Sequence, residues 1–424
     1  MPKYKPVSTL AMILAGGRVD ELGVLTHYRP KSAVPFGGVY RVIDFALSNL
    51  MHSGLELVAI LSQFRSFSLI NHIGIGAAWD MVGRYRGVSI LPPSPSSDYV
   101  STTWYRGSAD AVYQNIDFIE YHKPEEILIL SGDHVYQMDY RPLIDYHRRK
   151  GADLTISCVR VPMGEAHRFG IADIDNEDGE FGGRVVNYQE KPDTPESNWA
   201  SLTLYCFNSR MLIDLLKEKA AEGESFYEFG RDVIPYMMAR GCRIYGHKFA
   251  GYWGYTRTVQ EYWKTNMDLL ALEGPIDLEA WGVRTNLEHR DIRDCQPLKT
   301  GPSADISNSL IYNGCLVEGK VENSIIFPGV HVEQGAIVKD SVLFFDNVIG
   351  KGARIEKVIS DVNNTIGKES VIGSSSSPDG SEITTIGWNN YVPAGTRIDA
   401  DCTIYPKLSQ EKFHKRIKRG ETIR

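Results

Sequence analysis

Sulfur, long apolar runs and excess positive charge are all scarce in this chain, and each scarcity excludes something. The six cysteines (Cys158, Cys206, Cys242, Cys295, Cys315 and Cys402) are scattered among 424 residues. With no CxxC pair and no Cys/His cluster at metal-ligand spacing, they exclude a disulfide scaffold and a zinc-type centre, and read as reduced, mostly buried thiols. No segment reaches the roughly 18 apolar residues that would span a bilayer. The stretch MPKYKPVSTLAMILAGG passes from its lysines through an apolar run straight into a glycine turn, with no polar cleavage region. A cytoplasmic protein with no membrane partner is therefore expected. The formal net charge of −7 repels a phosphate backbone and argues against nucleic acid as a partner. The basic stretch Lys412–Arg424 reads as a solvated helix face rather than a binding arm.

What is present suits two or three globular domains, with 42% hydrophobic and 23% charged residues and no disordered bias. From Leu10 to about Ile244, short apolar runs alternate with helical patterns, which predicts an α/β domain with a doubly wound, mostly parallel sheet. Leu10–Leu14, Leu57–Leu61, Ile127–Leu130 and Leu154–Val159 read as strands, and Ala46–Ser53 and Ala109–His122 as crossover helices. Ligands in such a sheet bind beyond the carboxyl ends of the strands, where strand order reverses. From about Asp305, apolar residues recur every six positions. Ile326, Val332 and Val338 form one series; Ile337, Leu343, Ile349 and Ile355 a second; Ile366 and Ile372, each followed by glycine, a third. That period predicts a left-handed parallel β-helix of hexapeptide repeats. The expected division is an α/β domain over residues 1–275, a connector over 276–304 and the β-helix over 305–424.

Several segments could carry chemistry. The first strand ends in Leu14-Ala15-Gly16-Gly17, where glycine lets backbone amides approach a phosphate, although a tight turn explains it equally well. The segment Arg29 to Gly38 adds two cations and a second glycine pair. Within it Lys31 is a candidate for neutralising phosphate charge, with a plain surface lysine as the alternative. Ser131-Gly132-Asp133-His134 puts a carboxylate at the end of a buried strand, where it holds a hard cation such as Mg²⁺ or caps the next turn. His134 reads as structural, because phosphates attacking phosphates need no base. Ser108 or Asp110 reads as a helix cap.

Taken in order, LAGG at 14–17, the Lys31 segment, WYRGSADAVYQN at 104–115, SGDHVY at 131–136, Phe169-Gly170-Ile171, YQEKP at 188–192 and the hexad coil resemble the bacterial ADP-glucose pyrophosphorylases, the glucose-1-phosphate adenylyltransferases of glycogen synthesis. The resemblance covers essentially the whole chain. It implies a fold of the nucleotide-diphospho-sugar transferase type and a Mg²⁺-dependent transfer of AMP from ATP to glucose 1-phosphate, giving ADP-glucose and pyrophosphate. It also implies a tetramer regulated by metabolites. By motif match, Ala15, Gly16 and Gly17 would approach the triphosphate, and Gln63 (SQF, where the family has TQY) and Gly107 would lie near adenine. Lys31 and Asp133 would be catalytic, Asp133 holding the metal, and Gly170, Glu190, Lys191 and Ser201 would bind glucose 1-phosphate. Positioning and charge neutralisation supply nearly all of such a reaction.

The chain also departs from the family pattern. The family loop LAGG-x-G-x-RL here reads LAGGRVDEL, so Val19 replaces a glycine and Glu21 replaces the arginine that meets pyrophosphate. The family YWRDVGT reads Tyr252 to Thr258 as YWGYTRT, with Tyr255 in place of the second metal-binding aspartate. Thr203 replaces a glycine after the sugar-contacting serine, and Tyr28 replaces a lysine tied to effector binding in some members.

These departures favour a regulatory or weakly catalytic subunit, as a homotetramer or in a heterotetramer with a catalytic homologue. The alternative is an active enzyme in which Arg18 or Arg257 takes over from the lost arginine. A hexapeptide-coil acyltransferase needs a histidine base on the coil, and His331, the histidine within the hexads, is explained as an exposed alternating position.

Overall fold

The computed structural model describes residues 8–17, 20–93, 104–223, 226–373 and 382–424. Its first half is built on a nine-stranded sheet. In chain order the strands are β1 (Thr9–Leu14), β2 (Leu57–Leu61), β3 (Gly87–Leu91), β4 (Glu126–Ser131), β5 (Leu154–Arg160), β6 (Gly170–Ile174), β7 (Gly182–Glu190), β8 (Trp199–Asn208) and β9 (Ile244–Phe249). They lie in the order β3-β2-β1-β4-β8-β5-β9-β7-β6. Only β7 and β8 run against the rest, so the sheet is mostly parallel as the sequence predicts. The core strands β1, β2, β4 and β5 are almost continuously buried, which fits their unbroken apolar runs under two helical layers. The chain winds outward from β1 to β3 and returns to β4, so strand order reverses between β1 and β4.

The predicted crossover helix over 109–122 is broken in two, Ser108–Tyr113 and Ile116–His122. Asn115 causes the break: it leaves helical geometry and its amide donates to Ala111 O and to the Tyr105 hydroxyl, both at 2.9 Å.

The second half is a three-faced parallel β-helix whose sheets hold six, seven and seven short strands. Its strands begin at Lys299–Thr300. Ile326, Val332, Val338, Leu343, Ile349 and Ile355 all point into one buried stack. The step from Val338 to Leu343 is five residues, not six, so Ile337 does not lead the second series; it is the half-buried neighbour of the inward Val338. The two windings from His331 through Val348 to Thr365 take seventeen residues each, whereas that from Leu316 to His331 takes fifteen and that from Arg397 to Arg416 nineteen. Ser360 takes the next inward place beside Leu343. Its buried hydroxyl donates to Asn347 Oδ1 at 2.6 Å and accepts from Asn364 Nδ2 at 3.0 Å. The basic stretch Lys412–Arg424 is not a helix face: Arg416–Ile417 and Thr422–Ile423 complete the last winding, and Arg416 pairs with Asp399.

A shared core joins the halves, with Leu22, Phe36, Phe45 and Tyr262 packing against Ile325, Phe327, Phe344 and Ile359 of the β-helix. Within it Arg29 forms a buried ion pair with Asp361 at 2.9 Å. The second glycine pair belongs to this junction rather than to a phosphate site. A Cβ on Gly38 would fall 2.0 Å from the Tyr312 ring, which is why no side chain is possible there.

Candidate functional site

The reversal between β1 and β4 brings their following loops together, with Gly132 N donating to Leu14 O at 3.0 Å and Ala15 N to Leu61 O at 2.9 Å. Gly16 is close-packed: a Cβ there would meet Gln63 at 3.2 Å, whereas one on Gly17 would face open space. Gln63 accepts from Tyr105 N at 2.6 Å and thereby ties the β2 loop to the segment before Gly107. Gly107 lies against Tyr227 O, which a Cβ would approach to 2.4 Å. Ser108 does not cap its helix. Its hydroxyl donates to Glu228 Oε2 at 2.6 Å, while Asp110, inside the first turn, accepts from Arg106 N at 2.8 Å. Arg18 and Val19 lie outside the described residues.

Beside these loops opens a cavity of about 270 Å³ that brings together Lys31, Asp133, Gly170, Glu190, Lys191, Ser201, Thr203 and Tyr255. Ala15, Gly16, Gly17, Gln63 and Gly107 do not line it. Lys31, on the 3₁₀ turn Lys31–Ala33, is buried with its Nζ 2.9 Å from Asp133 Oδ2. The Ser131 hydroxyl also donates to Asp133, and His134 Nε2 lies 3.4 Å away. Burial opposes the charge on Asp133, but Lys31 and these neighbours outweigh it and hold the carboxyl well below the usual range. His134 is buried and its pKa is pushed down to about 4, chiefly by desolvation, so it is neutral near pH 7.

Tyr255 closes this end of the cavity. Its ring packs at 5.0 Å from both Trp253 and Phe169 and 5.6 Å from His134. Lys31 Nζ and the Arg168 guanidinium lie 5.6 and 5.4 Å from its centroid, which gives the ring two cationic neighbours. Burial raises its phenol pKa, so it carries no charge near neutrality. A magnesium site of the expected kind needs convergent oxygen ligands. Asp133 is engaged by Lys31 and Ser131, position 255 offers a neutral phenol, and among the described residues no group of three or more His, Cys, Asp or Glu converges. This donor set does not fit a two-carboxylate magnesium site.

At the opposite wall Glu190 accepts from the Tyr188 hydroxyl at 3.2 Å. Gly170 and Gly230 make room for that pair, because a Cβ on either would fall within 2.2 Å of the Tyr188 or Glu190 oxygens. Lys191 follows with φ 48° and is half-exposed. Thr203 has φ 53°, inside a register shift of β8 between Ser201 and Tyr205, so this backbone keeps a left-handed conformation that suits glycine. Glu21 does not line the cavity; it pairs at 2.9 Å with Arg257, which does.

Sequence reasoning missed Arg168, Glu228 and Gly230, which also line the cavity. The run Glu228-Phe229-Gly230-Arg231-Asp232 was the available signal, and the chain forms a π-turn over Phe229–Val233 there. Tyr28 lies at the junction of the halves, packed on Trp388 at 5.1 Å with Arg65 and Lys407 over its ring. His331 pairs with Glu318 at 3.0 Å on the coil surface.

Comparison with known proteins extends this picture. Residues 10–271 match the nucleotidyl transferase family, and residues 298–387 match the GlmU-like C-terminal hexapeptide family. Among similar curated proteins is the glucose-1-phosphate adenylyltransferase of Desulforamulus reducens, 40% identical over 94% of this chain and 98% of that protein. Those of Acetivibrio thermocellus (37% identical; 95% of this chain and 94% of that one) and Clostridium perfringens strain 13 (42%; 93% and 97%) carry the same name.

Proposed function

This chain belongs to the glucose-1-phosphate adenylyltransferase family, and from that premise we propose that it is a regulatory or weakly catalytic member that binds glucose 1-phosphate and a nucleotide or ADP-glucose. One observation carries the reading. Tyr255, an uncharged ring locked among Trp253, Phe169 and His134, occupies the wall beside Asp133, whose carboxylate is already paired with Lys31. The wall that carries Glu190, Lys191 and Ser201 stays open and polar. The chain therefore keeps the means to hold a sugar phosphate while lacking the pair of free carboxylates needed to manage a metal triphosphate. Removing one preorganised transition-state group typically costs on the order of 10²–10³ in rate.

In this reading the chain assembles with a complete homologue and modulates it. Purified alone with ATP, Mg²⁺ and glucose 1-phosphate, it should release pyrophosphate at least about 10²-fold more slowly than a complete homologue. Comparable turnover would overturn the regulatory reading in favour of full activity, for which the Glu21–Arg257 pair is the favouring observation.

A further inference from the structure

We propose that Arg257 is the residue of this cavity that holds a diphosphate group, and that Glu21 is its positioning residue. The inference rests on the reading of the cavity as a sugar-phosphate and nucleotide site.

The backbone at 257 is fixed on both sides. Thr256 is fully buried and donates to Asp133 O at 2.9 Å, which ties it to the loop after β4. Thr258 caps the helix Val259–Met267 through a reciprocal capping box with Glu261. The side chain between them is fixed as well. Its Nε donates to Glu21 Oε1 at 2.9 Å, its Nη2 lies at the same distance from that oxygen, and Nη1 reaches the Tyr255 hydroxyl at 3.4 Å. Glu21 thus grips one edge of the guanidinium. The other edge is turned towards Tyr255, along the wall that also holds Lys31 and Asp133.

Such an arrangement has the properties of an anion clamp. A guanidinium keeps its charge at every accessible pH and offers a planar fork that matches phosphate oxygens. Glu21 costs net positive charge but removes the rotamer freedom that a half-exposed arginine would lose on binding. The Lys191 ammonium lies 3.7 Å from Glu190 Oε1. Lys31 is committed to Asp133, and Arg168 to Glu261 and Glu165. Arg257 is held by Glu21 along its Nε/Nη2 edge and keeps its Nη1 edge turned to the Tyr255 hydroxyl on the cavity wall. The phosphoanhydride of a nucleotide or of ADP-glucose, or inorganic pyrophosphate, is the chemistry that fits it.

Calorimetric titration of the full chain with inorganic pyrophosphate, and separately with glucose 1-phosphate, tests the assignment. Arg257→Gln should weaken pyrophosphate binding about tenfold, the size of one charge-assisted hydrogen bond, and leave glucose 1-phosphate within about twofold. Arg257→Lys, which keeps the charge but not the fork, should recover only part of the loss. Glu21→Gln should leave the pyrophosphate enthalpy less favourable, because the guanidinium is no longer held, while Arg257→Gln in that background should cost less than it does alone. Unchanged pyrophosphate affinity in Arg257→Gln overturns the assignment, as does an equal loss for both ligands. If the parent chain binds pyrophosphate through Arg257 but not glucose 1-phosphate, the sugar-phosphate reading fails and this one stands. If it binds neither, both are overturned.

Discussion

Lys31 Nζ lies 2.9 Å from Asp133 Oδ2, with the lysine side chain 4% exposed and the carboxylate 25% exposed. An ammonium so deeply placed depends on its partner more than the partner depends on it, because removing the acid strands a buried charge. Asp133→Asn should therefore destabilise the chain by about 2–3 kcal/mol, while Lys31→Met, which leaves the more exposed carboxylate, should cost less. Urea midpoints at pH 7 decide it, and equal losses for both variants would contradict the asymmetry.

The pH dependence of stability follows from which groups are shifted and in which direction. His134, His147 and His247 are each pushed down to about 4 by burial, so the folded chain stays unprotonated where the unfolded chain takes up protons. Their contribution is complete above about pH 6.5 and is lost as pH falls towards 4. Asp133, held low, adds stability above the ordinary aspartate range near pH 4 and loses it only below that. Stability should thus begin to decline below about pH 6.5, before the carboxylates titrate. A urea midpoint that is flat between pH 7 and 5 would exclude this, and His147→Gln should flatten the slope.

Restoring the family pattern should raise activity. Tyr255→Asp returns a carboxylate beside Asp133, but Glu21→Arg alone would set two guanidinium groups against each other, since Arg257 already occupies that space. The combination with Arg257→Gly and Val19→Gly is the one expected to gain at least about tenfold in pyrophosphate release. A null result would mean that the rate is limited elsewhere.

Thr203 holds a left-handed φ of 53° without being glycine, a conformation that costs an L-residue roughly 1–2 kcal/mol. Glycine relieves that cost but adds freedom to the unfolded chain, about 0.5–1 kcal/mol. Thr203→Gly should accordingly be neutral to stabilising by up to about 1 kcal/mol, by thermal or urea unfolding. The backbone bond from Thr203 N to Ser201 Oγ survives in glycine, so any net loss of stability would contradict the strain.

On the sugar-phosphate wall, Lys191→Ala should weaken glucose 1-phosphate binding by about tenfold by calorimetry. Unchanged affinity would remove Lys191 from the site.

Much of this architecture was legible in the residues. Unbroken apolar strands such as Leu57–Leu61 announce a covered parallel sheet, and the spacing of Ile326, Val332 and Val338 announces the coil. What escaped was what period and motif do not encode. The five-residue corner from Val338 to Leu343 is a property of the winding, so Ile337 was counted on the wrong face. Glu21 and Tyr255 read as separate losses because nothing in one chain says that Glu21 and Arg257, 236 positions apart, will touch. Their joint contact with Arg257 turns two independent vacancies into one rebuilt corner of the cavity. Nothing near Gly38 in the sequence says that its missing Cβ makes room for the Tyr312 ring across the junction.

The register of the coil also dictates where this protein can grow. Thr365 and Tyr391 stack in register although twenty-six positions separate them, and the strands Val371–Gly373 and Thr384–Ile386 on either side keep their own registers. Extra sequence is thus admitted at a corner while the faces above and below continue in phase. Length added inside Val358–Ser360 or Thr384–Ile386 would instead throw every later aliphatic residue out of step. A peptide grafted between Gly373 and Thr384 would ride on the spiral as cargo, with the spiral itself unaltered.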